Sequence, residues 1–197
     1  ESNPIYDLSG NDAADKIKIL SSIAFNRTIS KNKILTEGIQ NINLTDILYA
    51  KTLGYKIKLL SISEIKKNKL MERVHPCLIL NNSYIAKIDG VLNAVVVDGL
   101  PIGKSILQGE GAGPGPTSSA LISDLCSILK GQVNYPFGVS GQLRKKISKF
   151  NILNHLCSSY LRIEVKDQPG VLSSITKIFA NNKISIKNLI QKPNKKN

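Results

Sequence analysis

The chain has 197 residues, a formal net charge of +13 and 42% hydrophobic residues, enough for one sizeable domain, or a domain plus a small module, with a core that needs no disulfides. Charged residues at 21% do not mark a disordered chain, and no apolar run approaches the ~20 residues of a membrane helix. The positive excess is spread along the chain among Ile and Asn, with few aromatics and no Trp, which argues against a nucleic-acid surface.

Three scattered cysteines, Cys77, Cys126 and Cys157, supply neither a disulfide framework nor a zinc site, so no metal is expected. Each lies among apolar residues and is read as a buried structural thiol, in keeping with a reducing, cytoplasmic setting. The opening Glu1-Ser2-Asn3-Pro4, with no Met and no apolar leader, reads as the start of a fragment without a signal peptide.

In chain order, the first ten residues read as loop. A helical pattern runs from Asn11 to about Ala24, with apolar positions at Ala13, Ile17, Leu20 and Ala24. Its apolar stripe is expected to continue through Ile19, Leu20 and Ile23, leaving Asp15, Lys18 and Ser22 as the solvated face. Asn43 or Thr45 caps a short helix through Leu48 and Ala50 that Gly54 stops. Tyr55 to Ile62 reads as a strand and 64–69 as a turn. Met71 to Leu80 is a second strand, whose Pro76 marks a bulge or an edge. Further strands are expected at 84–87, 94–97 and 102–107, and a helix from about Ser118 to Leu129, ended by Gly131.

Strands and helices that do not alternate strictly give an α+β class: a mixed sheet covered by helices on one face. Residues 132–157 are polar and irregular and read as a linker. After it, 160–165 (strand), 171–181 (helix) and 184–190 (strand) form one βαβ unit, too small to bury a core alone.

The chemistry-bearing residues concentrate in the first helix. Asp12 and Lys16 are four apart and share a face. A lysine over buried surface beside a carboxylate is suited to acid–base work; the same spacing equally describes an ordinary ion pair at a helix start. Glu1 and Asp7 add two carboxylates that could receive an ammonium group, or simply solvate a loop. The run G-E-G-A-G-P-G-P-T at 109–117 joins a strand to a helix, where bare backbone can meet an anion or a flat ligand. It is neither a dinucleotide fingerprint nor a P-loop. His75 beside Pro76 reads as structural, and His155 carries no signal.

Taken together these segments resemble homoserine dehydrogenase. The resemblance covers about residues 1–130 and rests on E-S-N-P-I-Y-D-L-S-G-N-D-A-A-D-K at 1–16, E-G-I at 37–39, D-I at 46–47 and L-G-Y-K-I-K-L-L at 53–60. V-H-P at 74–76, N-A-V at 93–95, G-E-G-A-G at 109–113 and P-T at 116–117 complete it. Residues 158–190, with D-Q-P-G-V-L at 167–172, resemble the start of an ACT domain, a module that binds small effectors.

The resemblance implies residues 1–131 as the catalytic and substrate-binding region, 132–157 as linker and 158–197 as a partial ACT-like unit. It implies Lys16 as the proton donor and acceptor at the substrate oxygen, and Asp12 as the carboxylate that keeps Lys16 in place and touches substrate. Glu1 and Asp7 join Asp12 in binding substrate, and Gly111, Gly113 and Thr117 lie on the cofactor side. Homoserine and aspartate 4-semialdehyde would be interconverted with NAD or NADP, in a homodimer or larger homo-oligomer, with an amino-acid effector at the ACT-like unit and neither nucleic acid nor membrane as partner. The family's nucleotide-binding region would precede Glu1, so the chain taken by itself is expected to be inactive. An amino-acid-sensing module without catalysis is the alternative.

Overall fold

A computed structural model of the chain describes residues 4–29, 33–132, 135 and 137–192. Glu1, assigned to substrate binding from the sequence, lies outside the described residues.

Two helices open the chain, α1 (Ile5–Leu8) and α2 (Asn11–Ala24), followed by the short strand β1 (Leu35–Thr36) and α3 (Leu44–Thr52). The hairpin β2 (Tyr55–Lys66) and β3 (Lys69–Leu80) then forms the largest ladder, pairing in register from Tyr55–Leu80 to Lys66–Lys69. Its turn is only Lys67-Asn68, both at positive φ (50° and 57°), as a two-residue hairpin with right-handed twist requires, so the strands run two to four residues further than the sequence suggests. β1 pairs with β3 in parallel at Arg73 and Val74, which makes a mixed three-stranded sheet of order β1-β3-β2.

A second hairpin, β4 (Leu92–Gly99) with β5 (Gly103–Glu110), forms its own two-stranded sheet and leads into α4 (Pro114–Leu129). The expected strand at 84–87 is instead a single 3-10 turn, Ile85–Lys87. Ser83 Oγ accepts the Ala86 amide at 3.4 Å and Ala86 is buried, so the segment closes a local turn in place of a ladder.

The core is small. Ala14 and Ile17 of α2 meet Val74 of β3, with Ala13, Ile34 and Leu59 around them. α2 lies on β2 and β3, and α3 lies on β2 with Ala50 buried. Asn43 caps α3 through a reciprocal box, its side chain accepting the Asp46 amide while Asp46 accepts the Asn43 amide, both at 3.1 Å. Gly54 at φ +84° ends the helix.

The face of α2 differs from expectation. Ser21 and Ser22 are buried, whereas Ile19, Leu20 and Ile23 are 46%, 39% and 50% exposed. The reason is tertiary: Arg27 and Glu72 form a buried ion pair, and the Ser21 hydroxyl donates to Glu72 at 2.5 Å and accepts from Arg27 at 2.9 Å. Ser22 donates to the Arg27 carbonyl at 2.7 Å. Polar atoms thus occupy the inward side of the last turn, and the isoleucines turn out.

The second half is open. α4 buries no residue, and Leu121, Leu125 and Leu129 stand free of any core. Cys126 on that helix and Cys157 are exposed, and Cys77, within the β2–β3 ladder, is half-buried, which corrects the expectation of three buried thiols. The accessible surface is 15467 Å², against roughly 9,000 Å² for a compact protein of this mass.

Residues 132–157 do more than connect. Lys145 exchanges backbone bonds with Asn26 and Thr28, and Ser148 and Phe150 bond the Leu70 amide and carbonyl at 2.9 and 2.8 Å, on the β3 edge away from β2. Of the expected βαβ unit, α5 (Val171–Asn181) forms as the sequence suggests, and the flanking stretches run without a ladder. A strand needs a partner edge, and among the described residues neither stretch is paired.

Candidate active site

α2 begins where the chain turns sharply. Gly10 is its N-cap at φ +79°, and a Cβ there would sit 3.3 Å from both Thr36 Cγ2 and Val74 Cγ1. Only glycine lets the helix start this close to the β1–β3 pair. Gly38 does the complementary job: a Cβ on it would overlap the Leu8 carbonyl and the Ser9 backbone. The Ile39 amide donates to that carbonyl at 2.9 Å, and the Glu37 amide donates to Val74 at 2.8 Å. The segments 8–10, 37–39 and 74–76, far apart in sequence, therefore meet beneath the start of α2.

On that start, Lys16 Nζ lies 2.6 Å from Asp12 Oδ2, with the lysine side chain 70% and the carboxylate 36% exposed. The pair faces solvent in this chain, over no buried surface. It is held from below by the Ser61 hydroxyl of β2, which donates to the Ala13 carbonyl at 3.3 Å, one residue from Asp12. Ser61 is paired with Val74 in the ladder, so the register of the hairpin sets the height of the helix start.

Asp7 sits exposed on α1. That helix is fixed by a contact with no sequence signal: the Tyr6 hydroxyl donates to Asp15 Oδ2 at 2.5 Å. The hydrogen bond from Tyr6, with Lys18 at 3.0 Å, holds the Asp15 carboxyl below its ordinary range, and the same bond pushes the Tyr6 phenol up. Asp15 is thus the joint between α1 and α2. It also leaves Asp12 as the carboxylate on Lys16.

The glycine-rich run lies on the other hairpin. Gly109 pairs with Asn93, and the Gly111 amide donates to Val91 at 3.2 Å. A Cβ on Gly111 would overlap Asn93 Nδ2, so this glycine admits the Asn93 side chain. Gly113 caps α4 at φ +116°, and a Cβ built on it would meet only Pro116 Cδ, at 3.8 Å. Of the first four helical residues, Pro114 and Pro116 carry no amide hydrogen, and the Thr117 amide bonds the Gly113 carbonyl at 3.2 Å. Only Gly115 keeps a free N–H, so the helix start offers bare backbone more than an anion cradle. The structure pairs Asp12 with Lys16 on α2, leaves Asp7 exposed on α1, and places Gly111, Gly113 and Thr117 on the stretch that joins β5 to α4.

His75 accepts from Arg73 Nε at 3.0 Å beside Cys77 and is used in that local cluster. Burial acts first to push the Cys77 thiol up. Among the described residues no three His, Cys, Asp or Glu side chains converge as metal ligands, and no helix is long and apolar enough to cross a membrane.

A homoserine dehydrogenase family model matches residues 1–126, and an ACT domain model matches residues 159–196. The chain belongs to the homoserine dehydrogenase family. It is similar to the homoserine dehydrogenases of Helicobacter pylori and Pseudomonas aeruginosa, each 38% identical over 98% of this chain and 45% and 46% of the relative. Among solved structures, it resembles a homoserine dehydrogenase from Thiobacillus denitrificans with a TM-score of 0.82 and 34% identity, over 98% of this chain and 46% of that one. The Staphylococcus aureus homoserine dehydrogenase at pH 6.5 gives a TM-score of 0.61 at 37% identity, over 68% of this chain and 34% of that one. The chain thus spans about half the length of the homoserine dehydrogenases it matches.

Proposed function

We propose that this chain is the substrate-binding and catalytic region of an NAD- or NADP-dependent homoserine dehydrogenase, interconverting L-homoserine and L-aspartate 4-semialdehyde on the route to threonine, methionine and isoleucine. The observation that carries the reading is the Asp12–Lys16 pair at 2.6 Å on a helix start pinned by Gly10 and Gly38. Oxidising an alcohol requires its proton to leave as the hydride does. Lys16 is open to solvent and held by Asp12: after its ammonium gives a proton to water, the neutral amine is placed to take the alcohol proton at the substrate oxygen, and the ammonium returns it in the reverse direction. Asp12 orients the ammonium group and contacts substrate, while Glu1 and Asp7 supply carboxylates for the amino group of homoserine.

The nicotinamide cofactor supplies the hydride chemistry when bound. Gly113 and the Gly115 amide fit its approach, because the backbone there is bare and open. Gly111 contributes through the Asn93 side chain it admits, and Thr117 by closing the first turn of α4. The working division is a catalytic region at 1–131, a connecting segment at 132–157 that also edges β3, and an ACT-like unit at 158–197 for an amino-acid effector. A cytoplasmic homodimer, or larger homo-oligomer, fits this reading.

The test is turnover of homoserine by the full-length protein with either cofactor, comparing Lys16→Ala and Asp12→Asn with the parent. Lys16→Ala is expected to lower kcat by roughly a hundredfold or more in a folded protein. A folded, cofactor-binding protein that ignores homoserine would leave amino-acid sensing as the function.

A further inference from the structure

We propose that the face of α3 carrying Asp46 and Tyr49 is the docking surface for the ACT-matching segment, and that Asp46 is its anchor. The Asp46 side chain is 6% exposed, far more buried than a helix cap requires. Its two oxygens are divided between two tasks. Oδ2 accepts the Asn43 amide and completes the cap, while Oδ1 accepts the Tyr160 hydroxyl at 2.9 Å and Arg162 Nε at 2.8 Å, from residues 114 and 116 positions away. Lys192, at the far end of the same segment, stands 5.0 Å from the Tyr49 ring, one turn further along α3. Both ends of the ACT-matching stretch therefore close on one helix.

The alternative holds are few. No described residue from 151 to 192 is buried. Among the described residues, the hydrogen bonds and ring contacts between 158–192 and the rest of the chain all end on α3. A buried carboxylate without partners is costly, so Asp46 is stabilised by the docked arrangement and exposed to loss outside it, whereas the half-open Arg162 also holds Glu164 within its own segment. The titration follows the geometry. Burial works to raise the Asp46 carboxyl, but the bonds from Asn43, Arg162 and Tyr160 outweigh it and hold it low. Burial first, and then the bond to Asp46, pushes the Tyr160 phenol up to about 12. From α3 the contact reaches β2, and through Ser61 the start of α2, so the docked segment lies one helix and one strand from Asp12 and Lys16.

The test is the distance between nitroxide labels at the exposed Lys51 of α3 and Lys177 of α5, in the full-length protein with Cys77, Cys126 and Cys157 replaced by alanine. The parent should give one narrow distribution. Arg162→Met and Asp46→Asn should each lower the ratio of docked to undocked molecules on the order of tenfold, and the double variant should go no further than either alone. Arg162→Met leaves the Asn43–Asp46 box intact, so it carries the test if Asp46→Asn unfolds α3. An unchanged narrow distribution in Arg162→Met, or two effects that simply add, would overturn the assignment. Neither result depends on whether homoserine is turned over.

Discussion

The two hairpins of this chain are built from similar residues and reach different ends. β2–β3 carries α2 and α3 on it and holds the buried residues Leu70, Met71 and Val74; β4–β5 and α4 bury nothing. Apolar residues alone did not make the difference, since α4 has Leu121, Ile122, Leu125 and Ile128 at helical spacing. The first hairpin has local partners: a helix that starts on it at a glycine, and a short parallel strand on its edge. The second has its own turn and a proline-led helix, and meets no third layer. A core thus needs elements that converge, and in this chain convergence happens at Gly10, Gly38 and Val74.

The sharpest way to break the first body is to strip the ion pair beneath α2. Glu72→Ala leaves Arg27 buried and unpaired, and should cost about 3–5 kcal/mol in denaturant unfolding. A loss below about 1 kcal/mol would mean that Arg27 finds water in the native state. A matched pair of truncations then compares the two bodies. Met71→Ala, at a site 1% exposed, should cost about 2–5 kcal/mol, whereas Leu125→Ala on α4 should stay within about 0.5 kcal/mol in this chain. Equal losses would contradict the contrast between a packed and an open half.

Gly10→Ala comes next, at about 1–3 kcal/mol, since the new Cβ is crowded by Thr36 and Val74 at a positive φ. Its expected companion is a displaced helix start, read as a loss of turnover beyond the loss of stability. The smallest effect is electrostatic. Hydrogen bonds from Lys56 and Lys58 hold the exposed Asp89 carboxyl at about 2, below its ordinary 3.8. Its contribution is therefore complete above the ordinary carboxylate range and disappears as pH falls through about 2. A carbon-13 titration of Asp89 with a midpoint near 4 would remove this clamp from the account.

Much of the first body was legible from residue spacing. The bounds of α2, the Gly54 stop of α3, a cap for α3 at either Asn43 or Thr45, and two consecutive strands from Tyr55 to Leu80 follow from local rules, as does α5, whereas the tightness of the Lys67-Asn68 turn does not. The Asp12–Lys16 pair was legible for the same reason, being four apart on one helix. What spacing could not supply were contacts set by the fold. α1 depends on Tyr6 reaching Asp15 across a turn, and the inward face of α2 depends on Glu72, fifty-one residues from Ser21. Asn93 against Gly111 has the same character: each short motif was visible, but not that one glycine exists to admit the other's side chain. The strands expected at 160–165 and 184–190 have the right residues but pair with no strand among the described residues, and a strand is a property of a pair.

The solvent-facing Lys16, set by Asp12 on the pinned start of α2, is proposed to perform the proton transfer of a homoserine dehydrogenase. The most direct measurement is homoserine-dependent reduction of NAD or NADP by the full-length protein and by its Lys16→Ala variant, with folding of the variant checked by its unfolding transition. Turnover is expected in the parent, with a fall in kcat of roughly a hundredfold or more in a variant that unfolds at the same denaturant concentration. A Lys16→Ala protein that turns over homoserine at the parent's rate would contradict it.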